Sequence, residues 1–144
     1  MCIRDSAMAD RRGLTGWRVV GGVPAGQIGD RLSNVRYHHV GIPTTDRFEG
    51  EIDLPHLRMT VSDHTRNPFG IQWQRYWDDA PYPELVRTVP HVAFEVNDLE
   101  QALEGHRVLI APNSPSPGVR VAFIEVQGAP VELLQIDTAA STGR

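Results

Sequence analysis

The feature that most constrains the fold is a weak internal repeat. His38-His39-Val40-Gly41-Ile42 is matched by Pro90-His91-Val92-Ala93-Phe94, and Ile71-Gln72-Trp73-Gln74 by Val131-Glu132-Leu133-Leu134. In each half, a strand that starts on a histidine precedes a strand with a polar, chelating side chain at its second position. His39 to Gln72 is a step of 33 residues and His91 to Glu132 a step of 41. The longer step leaves room for a short helix, and one fits there. Asn97 or Asp98 caps it, Glu100 and Glu104 place negative charge near its start, Leu99, Ala102 and Leu103 form an apolar stripe, and Gly105 stops it. The first half lacks an equivalent, because Gly50 and Pro55 interrupt the stretch after Pro43.

Around the repeat the texture is that of short strands punctuated by Pro, Gly, Asn and Asp. Strands are predicted over 35–42, 57–62, 71–77, 90–96, 107–110, 119–126 and 130–136, with a further helical turn over 83–87. A chain of 144 residues is expected to hold one such domain, over 35–138. Residues 1–34 read as a flexible leader, of which 1–6 look like an assembly scar or an untidy start, and 139–144 read as a disordered tail. The glycine-rich run over 21–26 lacks the Gly-Lys-Ser/Thr ending of a phosphate loop.

Composition removes several function classes. Lys and Arg total 14 against 18 Asp and Glu, a net charge of -4, which argues against a nucleic-acid partner. No apolar run reaches the roughly 18–20 residues needed to cross a bilayer, so no membrane partner is expected. Cys2 is the single cysteine, so neither an internal disulfide nor a multi-thiolate zinc site can form, and a cytoplasmic location is expected.

Strand parity groups the chelating residues. Side chains alternate across a strand, so His91, Ala93 and Glu95 share one face while Val92, Phe94 and Val96 share the other. The Val/Phe/Val face is the one a strand presents to a covering helix. His91 therefore points away from the helix, and Glu132 looks into the same concavity if the last strand buries Val131 and Leu133 on the helix side. His39 and Gln72 follow by the repeat. Two imidazoles, a carboxylate and an amide oxygen suit a divalent cation such as Zn, Ni, Co, Mn or Fe. Glu132 is the most pointed of the four, because a carboxylate in an apolar strand calls for a cation or donors.

Residues 36–137 resemble the vicinal oxygen chelate superfamily, which includes glyoxalase I, methylmalonyl-CoA epimerase, extradiol dioxygenases and bleomycin-resistance-type binding proteins. The resemblance is carried by His39-Val40-Gly41-Ile42, by Pro90-His91-Val92-Ala93-Phe94-Glu95-Val96-Asn97-Asp98-Leu99, and by Val121-Ala122-Phe123-Ile124 leading to Gly128-Ala129-Pro130-Val131-Glu132-Leu133-Leu134. It implies an α+β fold of paired βαβββ modules forming an incomplete barrel, over about 35–80 and about 88–138, the first with its helix shortened or lost. It also implies metal ligands at His39, Gln72, His91 and Glu132. Gln72 stands where many members carry Glu.

The activity implied is that of a metal-dependent lyase or isomerase, moving a proton on a small oxygenated metabolite chelated to the ion. Glu132, Glu95 and Glu51 are the candidate catalytic carboxylates, and Gln74 and Tyr76 the candidate substrate contacts, since they share parity with Gln72. Two alternatives stand beside this reading. One is an extradiol-type Fe(II) dioxygenase using His39, His91 and Glu132, and the other is a metal-free binding protein of the resistance type. His38 is expected to face away from His39, and His56, His64 and His106 to be exposed. The proline-rich stretch over 111–118 is expected to form a loop at the rim of the cup. Trp73 and Trp77 fall on the face that lacks a helix, and a homodimer is one way to cover them.

Overall fold

The computed structural model describes residues 35–137. The leader and tail expected at 1–34 and 139–144 lie outside the described residues. The described chain is mostly strand: β1 (Val35–Pro43), β2 (Ile52–Leu54), β3 (Met59–Val61), β4 (Ile71–Tyr76), β5 (His91–Val96), β6 (Arg107–Ser116), β7 (Val119–Val126) and β8 (Ala129–Ile136). Two short helices accompany them, α1 (Glu84–Thr88) before β5 and α2 (Leu99–Leu103) after it. No helix among the described residues is long and apolar enough to cross a membrane.

All eight strands join one sheet in the order β2-β3-β4-β1-β5-β8-β7-β6, curled into an open half-barrel. The two histidine strands, β1 and β5, lie side by side and antiparallel at its centre. Each is flanked on its outer side by the last strand of its own half, running parallel: β4 beside β1 and β8 beside β5. The registers are reciprocal, with His39 opposite Ala93 and Gly41 opposite His91. Two histidines 52 positions apart in sequence numbering, 39 and 91, are thereby brought to adjacent strands.

The outer face of the second half carries the main core. Val96, Ala122, Ile124 and Leu133 pack around Leu99 of α2, with Phe94, Ala102, Leu103 and Val131 at the margins. Of the expected Val/Phe/Val face, Phe94 and Val96 turn toward the helix, whereas Val92 lies beyond its reach and is exposed. The Asp98 side chain accepts a hydrogen bond from the Gln101 N–H at 3.1 Å and so caps α2. On the opposite, concave face Ala93, Val121 and Leu134 form a second cluster. Between the tips of β7 and β8 the turn residues Gln127 and Gly128 both have positive φ, the conformation of a two-residue hairpin turn that matches strand twist.

Two local expectations are corrected. Residues 111–116 are not a loop but continue β6, which occupies one edge of the sheet. Pro112 and Pro115 are tolerated there because an edge strand needs ladder hydrogen bonds on one side only. The short strand β2, at the other edge, has no counterpart in the sequence reading, since three residues between Gly50 and Pro55 carry too little periodicity to register.

Candidate metal centre

His39, His91 and Glu132 are all buried, at 4%, 1% and 8% exposure. The structure brings them together: one ligating atom from each lies within 4.8 Å of the others. Glu132 Oε2 stands 2.9 Å from His91 Nε2 and 3.3 Å from His39 Nε2. The imidazole rings of His39 and His91 meet edge to face, with centroids 5.7 Å apart. They reach this point because β1 and β5 are adjacent and β8, carrying Glu132, is the next strand beyond β5.

Gly41 makes room for His91. A Cβ at position 41 would lie 2.2–2.9 Å from the Cε1, Nε2 and Nδ1 atoms of the His91 ring, which rests directly on the glycine backbone. Phe123 closes the other side of that ring, edge on, at a centroid distance of 4.9 Å. His91 is thus held between two strands with almost no freedom to turn.

The donor set fits a divalent ion. Bonds of about 2.0–2.2 Å from a metal to imidazole nitrogen and carboxylate oxygen place neighbouring donors about 3–3.5 Å apart. The separations around Glu132 Oε2 match that spacing. His39 Nε2 is buried and makes no hydrogen bond, since its approach to Glu132 has an ion-pair distance without hydrogen-bond geometry. His91 Nδ1 is likewise buried without a hydrogen bond; such nitrogens are costly in a folded chain, and that of His39, beside the Glu132 carboxylate, is placed to ligate a cation. Burial by itself pushes the Glu132 carboxyl up, but contacts from His39 and His91 outweigh it and lower the carboxyl to about 2. Glu132 is therefore ionised at neutral pH, the form that binds a cation.

His39 and Glu132 form part of the wall of a cavity of about 230 Å³ on the concave face, and His91 is buried next to Glu132 without lining it. Gln72, Gln74 and Tyr76, successive same-face residues of β4, line it and are chained together. The Tyr76 hydroxyl donates to Gln74 Oε1 at 3.0 Å, and Gln74 Nε2 donates to Gln72 Oε1 at 2.7 Å. Burial first, and the Glu132 charge second, push the Tyr76 hydroxyl well above its ordinary value, so it stays protonated. Most of the remaining wall is apolar, including Met59, Val61, Val86, Val121 and Leu134.

The other two candidate carboxylates are not brought to this cavity. Glu95 turns to Arg36, 3.2 Å away, and lines a separate surface depression. Glu51 is ion-paired with Arg75 and, at 2.9 Å, with Arg47. Arg75 lies on the face of β4 opposite to Gln74 and Tyr76, and its guanidinium draws Glu51 there. Glu132 is the one carboxylate among the described residues that line the cavity.

Two histidines expected elsewhere are found here. The register of β1 against β5 slips between Tyr37 and His39, and this bulge overrides the alternation that would have turned His38 outward. His38 Nδ1 lies 2.8 Å from His39 Nδ1. His64, expected to be exposed, sits half-buried in the cavity wall on a 3-10 turn held by the Asp63 carboxylate. Burial, reinforced by the neighbouring imidazoles, lowers the basicity of both His38 and His64. The available sequence signals were the His38-His39 pair and the Asp63-x-Thr65 turn, neither of which specifies a direction. His56 and His106 are exposed, as expected. Trp73 is exposed on the outer face, whereas Trp77 donates to Thr60 and lies under the Arg58 guanidinium.

No protein-family model matches the chain, and no curated protein is similar to it. Among solved structures, a hypothetical protein from Bacillus halodurans superposes with a TM-score of 0.51 at 16% identity. The match covers 70% of this chain and 94% of that one. At that identity the likeness speaks for a shared fold, a curled sheet of this plan, and for nothing about chemistry.

Proposed function

We propose that this chain is a metal-dependent enzyme of the vicinal oxygen chelate kind, built from paired βαβββ modules of which the first has lost its helix. Its reaction is proton transfer on a small oxygenated metabolite, as a lyase or isomerase. The observation that carries this reading is the convergence of His39, His91 and Glu132 on one point, with His39 and Glu132 in the wall of a cavity large enough for a small molecule. The reciprocal strand order supports the module assignment.

In this reading His39, His91 and Glu132 would hold a divalent cation, with Gln72 in the same cavity wall as His39 and Glu132. A bound divalent ion supplies Lewis-acid stabilisation of negative charge developing on substrate oxygens. Glu132, ionised and the one carboxylate among the described residues in the wall, accepts the proton from the carbon next to those oxygens and returns it. The chain from Tyr76 through Gln74 fixes the Gln72 amide, and the apolar wall keeps water away from the exchanging proton.

The test combines metal content with isotope exchange. Purified protein should carry divalent metal that falls in His91→Ala. It should catalyse metal-dependent deuterium exchange at carbon next to the carbonyl of 2-hydroxycarbonyl compounds, abolished by chelation and by Glu132→Gln. A second reading is favoured by the donor set itself, since two histidines and one carboxylate are the ligands of non-haem Fe(II) oxygenases. Oxygen uptake with catechols after anaerobic iron loading, without deuterium exchange, would replace the first reading with this one. Absence of metal under every loading condition would leave a binding protein.

A further inference from the structure

His39 stands between two groups of ligating atoms, one on each side of its ring. Its Nε2 faces Glu132 at 3.3 Å, and its Nδ1 faces His38 Nδ1 at 2.8 Å. His64 completes the second group. Its ring centroid lies 4.8 Å from that of His38 and 5.2 Å from that of His39. One nitrogen from each of His38, His39 and His64 falls within 4.8 Å of the others, the same closeness found for His39, His91 and Glu132.

The local structure builds this group deliberately from two directions. The bulge in β1 turns His38 to the side of the strand that His39 already occupies. Asp63 holds the turn that carries His64, accepting from the Thr65 N–H at 2.9 Å and the Thr65 hydroxyl at 2.7 Å. The imidazole of His64 makes ring contacts but no hydrogen bond with another described residue. All three side chains reach the same cavity.

We propose that His38, His39 and His64 form a second metal site, with nitrogen ligands only, on the Nδ1 side of the His39 ring. Neutral imidazoles suit Zn²⁺, Cu²⁺ or Ni²⁺, whereas Mg²⁺ and Mn²⁺ prefer the oxygen donors that this group lacks. Filling both sites at once would require His39 to give up its remaining ring proton to solvent and to offer one nitrogen to each ion. The second site shares only His39 with the first and takes its other two ligands from β1 and the His64 turn, none from β5 or β8, so the two readings can fail separately.

The experiment is Zn²⁺ stoichiometry on the full chain, by elemental analysis after loading and desalting. Wild type should hold two ions, His64→Gln and Glu132→Gln one each, and the double variant none. His38→Gln, in a separate strand, should repeat the loss seen in His64→Gln, and circular dichroism checks that each variant is folded. Excess Mn²⁺ should not fill the second position. Folded His64→Gln and His38→Gln proteins with the full wild-type zinc content overturn the proposal. One ion in wild type, lost in Glu132→Gln and kept in His64→Gln, also overturns it while leaving the first site standing. One ion lost in His64→Gln and kept in Glu132→Gln supports the second site and removes the first.

Discussion

In the second half of the sheet the outer face is sealed: α2 lays Leu99, Ala102 and Leu103 over Val96, Ala122, Ile124 and Leu133. In the first half there is no helix between β1 and β2, and the corresponding face carries half-buried Val40, Ile42 and Ile71 and a Trp73 that is 41% exposed. Both halves nevertheless keep the same strand plan, with a first strand paired in parallel to the last. The plan survives because ladder hydrogen bonds and the reciprocal β1–β5 register hold it, independently of what packs outside. The covering element is thus separable from the element that positions the site.

The concave side repeats the contrast at the level of single residues. His39 and His91 are equivalent by the repeat, yet His91 lies over Gly41 and is enclosed, while His39 lies opposite Ala93 and keeps its second nitrogen turned to His38. Gln72 and Glu132 are equivalent too. One is a neutral amide tied to Gln74, the other a carboxylate between two imidazoles. The two halves share a strand order, but only the second places a carboxylate against both imidazoles.

The comparison breaks most visibly at the outer faces. Leu99→Ala removes a fully buried side chain and should cost about 2–5 kcal/mol of unfolding free energy, read by urea denaturation. Trp73→Ala, the matching truncation on the first half, should cost about 1 kcal/mol or less, in keeping with a half-exposed site. Equal costs would mean that something covers the first face in solution. At the site, Gly41→Ala should displace the His91 ring and lower divalent-metal affinity by about 10–100-fold, as the loss of a supporting contact does. An Ala variant with unchanged affinity would show that His91 is not a ligand. The mildest change, Gln72→Glu, makes the two halves alike. It should tighten Mn²⁺ or Zn²⁺ binding by about tenfold, equivalent to about 1.4 kcal/mol, in a calorimetric titration.

Much of the frame was legible because its signals are local. The alternation in 91–96, the Asp98 cap and the stripe of Leu99, Ala102 and Leu103 each occupy a few consecutive residues, and strand β5 and helix α2 appear where those signals stand. The strand at 111–116 was not legible, since proline is excluded from central strands but not from an edge, and edge position is a property of the whole sheet. Parity assigns Glu95 to the site, and the irregular stretch after Pro43, which could arch over the cup, brings in Glu51. Arg75 and Arg36 draw them elsewhere through ion pairs that no spacing encodes.

From sequence alone came the repeated order of strands, the helix present in one half and missing from the other, and the polar positions at 39, 72, 91 and 132 on one face of their strands, because periodicity and spacing are written in consecutive residues. Only the tertiary structure decided that His39, His91 and Glu132 meet within reach of one ion, and that His38 and His64 join His39 on its other side. The physical reason is the same in both cases. A one-residue slip in β1 and the curl of an eight-stranded sheet are set by pairing between distant strands, and each redirects a side chain without leaving any mark in its own neighbourhood.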